Sequence, residues 1–123
     1  MQLTWKDDVL LNLHYGKHRQ GVGATSLDHY VKLANEFLLD QLYVNPVPCN
    51  ACLDCNCVAY GTVHECVRPE PDGRTARVST VSSLIGIYKP GAYISTFFRR
   101  VEFSSARRSD IQYHHDNCLG AQE

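Results

Sequence analysis

The chain is predicted to be a single α+β domain, two N-terminal helices packed on a four-stranded antiparallel sheet, with a cysteine-rich insertion at about residues 43–66. Three observations predict it. Residues 27–42 repeat apolar side chains at helical spacing. Four short runs rich in β-branched and aromatic residues follow between 57 and 98, too close together for parallel crossovers. Helices come first and strands afterwards, an order that segregates the helices to one face of a sheet. At 123 residues, 44% hydrophobic and 20% charged, the whole chain has the size and composition of one domain with one core.

A first helix is expected over residues 4–18. Thr4 and Asp7 form a capping box with Asp in place of Glu, and Trp5, Val9, Leu10 and Leu13 give a partial apolar stripe. Residues 21–25, GVGAT, are a break. The second helix runs from Leu27 to Gln41 or Leu42, with Leu27, Tyr30, Val31, Ala34, Phe37, Leu38 and Leu42 on one face. Thr25 and Ser26 are both credible caps, and Asp28 suits the positive end of the helix dipole. Residues 43–57 are expected to be irregular, because Pro46 and Pro48 interrupt them. Strands are expected over 57–67, 75–81, 84–89 and 92–98, with turns at 71–73 and 89–91, as an antiparallel meander. The polar last twenty residues read as a short helix or a loose tail.

A net charge of −1 argues against a general nucleic-acid binder, which would be basic. The charge is uneven, however: Arg99, Arg100, Arg107 and Arg108 fall within ten residues. No apolar run reaches the length of a membrane span, and Asp7 and Asp8 stand where a signal peptide needs apolar residues. The expectation is a cytoplasmic site of action without membrane attachment.

Two distant segments carry the chemistry. His14, Lys17 and His18 are spaced so that one helical face presents all three. Thr96 stands on the last strand, pointing away from its neighbours Ser95 and Phe97. Cleaving RNA through its own 2′-hydroxyl needs a base, an acid, and donors or cations for the phosphate. Imidazole suits the first two, and lysine, arginine and a hydroxyl the third. On spacing alone, the two histidines also fit half-exposed helix positions and Thr96 fits an ordinary strand residue.

The H-x-x-K-H-x-x-x-G start at His14, then Ser26, Tyr30, Ala34 and Phe37 on a helix, resembles the nuclease toxins of the barnase, EndoU, colicin and RelE superfamily, the BECR fold. The last strand matches the family pattern G-x-I-x-T-[FY]-F-[KR] at Gly91, Ile94, Thr96, Phe97, Phe98 and Arg99, and Gly86 matches the glycine of the strand before it. Arg100 stands where the family often has proline, and Ser82 and Ser83 replace its usual acidic and asparagine positions. The resemblance covers residues 12–38 and 72–100. It implies a metal-independent ribonuclease from a bacterium or phage, with His18 as acid and base, Lys17 on phosphate and Thr96 donating to it. His14 and Arg77 or Arg74 would assist, with Ser95, Phe98 and Arg99 as further substrate-binding residues. It also implies tRNA or another structured RNA as substrate, a cognate immunity or antitoxin protein, and delivery within a larger secreted toxin.

Six cysteines need a separate account. Cys49, Cys52, Cys55, Cys57 and Cys66 crowd together, and in a reducing compartment that spacing points to a structural zinc ion. His64 is an alternative ligand. Buried thiols, or disulfides if the domain is exported, are the other readings. His64-Glu65-Cys66 lacks the following P-C-x-x-C of a zinc deaminase, so that chemistry is not expected. A rival of another class is a zinc-stabilised binding module that grips a host protein or RNA without chemistry.

Overall fold

A computed structural model describes residues 2–48, 57–68 and 71–100. It is an α+β fold of two helices and six antiparallel strands, ordered along the sheet as along the chain. The helices are α1, Asp8–Val22, and α2, Leu27–Leu38. The strands are β1, Val47–Pro48; β2, Val58–Tyr60; β3, Val63–Val67; β4, Thr75–Ser79; β5, Leu84–Lys89; and β6, Tyr93–Arg99.

The sheet corrects the expected four strands to six. The run at 57–67 is a hairpin, because Gly61 turns the chain at φ 68° and Ala59 pairs with His64. The other added strand is β1, where Val47 pairs with Ala59 and Pro48 with Val58. Proline is tolerated there because an edge strand need not donate on both sides. The meander itself is as expected. The tail from residue 101 onwards, including Arg107 and Arg108, lies outside the described residues.

The second helix starts where its sequence says it should. Ser26 accepts from the His29 N–H as N-cap, and Tyr30, Val31, Ala34 and Leu38 are buried. It stops at Leu38, short of the expected 41 or 42. The reason lies in β4: Arg77 donates to the carbonyls of Phe37 and Asp40 and pairs with Glu65 at 2.6 Å, so a buried guanidinium takes up the chain end. Leu38 packs directly over Gly86 of β5, where any Cβ would collide with its side chain.

The first helix differs more. Asp7, not Thr4, is its N-cap, accepting from the Leu10 N–H at 2.8 Å. Residues 3–5 instead run beside β6: the Ile94 N–H donates to the Thr4 carbonyl, and the Trp5 indole donates to the Ser95 carbonyl. Val9 and Leu13 of the expected stripe are exposed, at 78% and 61%. The helix faces inward with Leu11, His14, Tyr15, His18 and Val22, of which Leu11 and Val22 are buried. It ends at Gly23, whose left-handed φ of 76° lets its N–H and that of Ala24 reach back to the carbonyls of Gln20 and Arg19.

Leu11 and Val22 of α1, Tyr30 and Leu38 of α2, and Ile94 and Phe97 of β6 share one core with Trp5. The Tyr30 hydroxyl, fully buried, donates to the Phe97 carbonyl at 2.6 Å. No helix among the described residues is long and apolar enough to cross a membrane.

Candidate active site

Between α1 and the last strand lies a cleft of about 590 Å³. His14, Lys17 and His18 line it from the helix, and Ser95, Thr96 and Phe98 from β6. Arg74, just ahead of β4, forms another part of the wall. Residues 82 positions apart in sequence therefore share one cavity: His14 Nδ1 stands 3.5 Å from the Thr96 hydroxyl, the outer limit of a hydrogen bond.

The strand reaches the cleft with consecutive residues because it is bulged. Ile87 pairs with Thr96 but Tyr88 pairs with Ile94, leaving Ser95 as the extra residue. A regular strand would have turned Ser95 and Thr96 to opposite faces. The bulge brings both to the cavity, which is a common use of the device next to functional sites.

The two imidazoles are held by rings on either side. Trp5 backs His14 at a centroid distance of 5.7 Å, His14 and His18 are 5.7 Å apart, and Phe98 stacks on His18 at 5.2 Å. Burial pushes the His18 pKa down from 6.5 to about 4, helped by His14 and Lys17 nearby. Burial and Lys17 lower that of His14 as well. Both rings are thus neutral near pH 7, and each offers a basic nitrogen.

Arg74 is aimed by a carboxylate that spacing arguments missed. Asp72 accepts from its Nε at 2.7 Å and from one terminal nitrogen at 2.9 Å, while the other terminal nitrogen donates to the Ser95 hydroxyl at 3.0 Å. Asp72 also accepts from Arg68. The Arg74 hydrogen bonds hold the Asp72 carboxyl well below the usual carboxylate range. The available signal was the PDG sequence at residues 71–73, which by itself indicates only a turn. Trp5, Lys6 and Tyr93 complete the far end of the cleft, with the Lys6 ammonium 4.5 Å above the Tyr93 ring.

Arg77 is not brought to this cleft. Its guanidinium is committed to Glu65 and the end of α2, and only 6% of the residue is exposed. Arg99 lies in an adjoining cavity with Lys17, His18 and Phe98. Of the expected zinc ligands, Cys49, Cys52 and Cys55 lie outside the described residues. Cys57 is buried, and Cys66 is buried and disulfide-bonded, a state in which its sulfur is not a thiolate donor. Among the described residues no three His, Cys, Asp or Glu side chains gather as a metal would need.

No protein-family model, curated protein or solved structure matches the chain.

Proposed function

We propose that the protein is a metal-independent endoribonuclease of toxin type that cleaves RNA by attack of its own 2′-hydroxyl. The observation that carries this reading is the convergence of His14, Lys17, His18, Arg74 and Thr96 on one cleft, with no carboxylate lining it among the described residues. A chain of net charge −1 has concentrated cations and imidazoles in one place, which suits a phosphodiester.

His18, neutral before substrate arrives, takes the 2′ proton. The 2′ oxygen then bonds to phosphorus and the bond to the 5′ oxygen breaks, leaving a 2′,3′-cyclic phosphate. The leaving oxygen takes a proton from imidazolium: His14, once the bound phosphate anion has raised its affinity for a proton, or His18 returning the one it took. Lys17, Arg74 and the Thr96 hydroxyl hold the charge that grows on the non-bridging oxygens. Phe98 keeps the His18 ring from turning out of line. The fold of two helices beside an antiparallel meander accords with the likeness to BECR toxins, and with it go a structured RNA such as tRNA as substrate, an immunity or antitoxin partner, and delivery within a larger polypeptide to a cytoplasmic target.

His18→Ala and Thr96→Ala should each lower RNA cleavage by about 10²-fold or more while the circular dichroism spectrum is kept. Cleavage by both variants at the parent rate would remove the assignment.

A further inference from the structure

A second cavity of about 620 Å³ continues from the first past the C-terminal half of α1. It shares Lys17, His18 and Phe98 with the cleft and adds Gln20, Arg99 and Arg100. The two openings share the wall on which the imidazole stands, so a strand bound at the first has the second within reach. Lys17, Arg99 and Arg100 give this end three cations, with no carboxylate lining it among the described residues. At the helix end beside it, the Arg19 and Gln20 carbonyls already accept from Ala24 and Gly23. Arg99 donates Nε–H to the Ser82 carbonyl at 3.1 Å, a bond that steadies the side chain and uses neither terminal nitrogen. Those two nitrogens are the pair that a phosphate accepts from side by side.

Resting on the ribonuclease reading, we propose that this second cavity is a binding site for the phosphate that flanks the cleaved linkage, with Arg99 and Lys17 as its cationic walls. The groove then holds at least two successive phosphates of one strand, the reacting one at His18 and its neighbour at Arg99. Such a site favours an internal linkage over a terminal one, and makes the enzyme an endonuclease by binding and not by chemistry.

The test compares a dinucleoside monophosphate with the same compound carrying one extra phosphate at its 5′ end or at its 3′ end. For the parent protein, kcat/KM should rise about tenfold for one of the two extended compounds, the value of a charged hydrogen-bond pair. Arg99→Ala should erase that ratio, and Arg99→Lys, which keeps the charge, should recover part of it. Absence of a gain at both ends, or a gain that survives Arg99→Ala, overturns the site. If the parent cleaves none of the three, cleavage of total RNA decides the ribonuclease reading and binding of their 2′-O-methyl forms decides the site alone. Tighter binding of an extended form, lost in Arg99→Ala, then supports it; equal binding overturns it.

Discussion

A half-buried histidine beside a second histidine and a lysine holds its proton weakly, and His18 carries that cost in the folded state. Its pKa falls from 6.5 to about 4, so between those values the unfolded chain binds more protons than the folded one. Stability is therefore complete above about pH 6.5 and is lost as pH falls towards 4. Denaturant midpoints measured across that window should decline with acid, and His18→Ala should flatten the decline; an unchanged slope would count against the burial assigned to this ring. Asp72 acts through Arg74, and its depressed carboxyl contributes a separate loss of stability in more acidic solution. Asp72→Asn removes the charge that aims the fork, and kcat/KM should fall about tenfold, as for other orienting partners. The same change made in Arg74→Ala should have little further effect, because the group it positions is gone.

Among the elements, α2 was legible from sequence in its start and its buried face, whereas α1 was legible as a helix but not in its start or its buried face. Ser26 and the buried Tyr30, Val31, Ala34 and Leu38 follow rules that act locally, so spacing found them. On α1 the inward positions are occupied by His14 and His18, which line a cavity instead of filling a core, so the apolar stripe pointed to Val9 and Leu13 on the wrong side. The spacing of His14, Lys17 and His18 marked one wall of the cleft, and Thr96 was pointed to by the resemblance of the last strand to a toxin pattern, not by any local rule. The bulge at Ser95 was hidden because nothing local announces a register shift; it depends on β5. Arg77 was misplaced for a similar reason: its partners, Glu65 and the end of α2, come from elements remote in sequence. Truncating it to Ala leaves Glu65 and two carbonyls without their donor and should cost about 3–5 kcal/mol. Gly86→Ala drives a methyl group into Leu38, and should cost about 1–3 kcal/mol in thermal or denaturant unfolding. The RNA cleavage rate per folded molecule should survive Arg77→Ala, since its side chain lies outside the cleft.

At the scale of the whole molecule, the sheet separates two tasks. Its α2 side builds the core around Tyr30, Leu38 and Phe97, and the edge beside α1 builds the cleft. Lys6, Lys17, Arg74, Arg99 and Arg100 all line the two joined cavities, so the near-neutral total of the chain conceals a polarised surface. Composition averages that away, so net charge argued against a nucleic-acid ligand without regard to where the cations stand. Of the five cysteines expected to hold zinc, Cys49, Cys52 and Cys55 fall outside the described residues and Cys66 is disulfide-bonded. The most direct measurement is incubation of the purified protein with total RNA in excess chelator, followed by chemical mapping of the new 3′ ends. Fragments ending in 2′,3′-cyclic phosphate, formed by the parent and absent with His18→Ala, are the predicted result. Intact RNA with the parent protein, or cutting that the chelator abolishes or the variant retains, would contradict it.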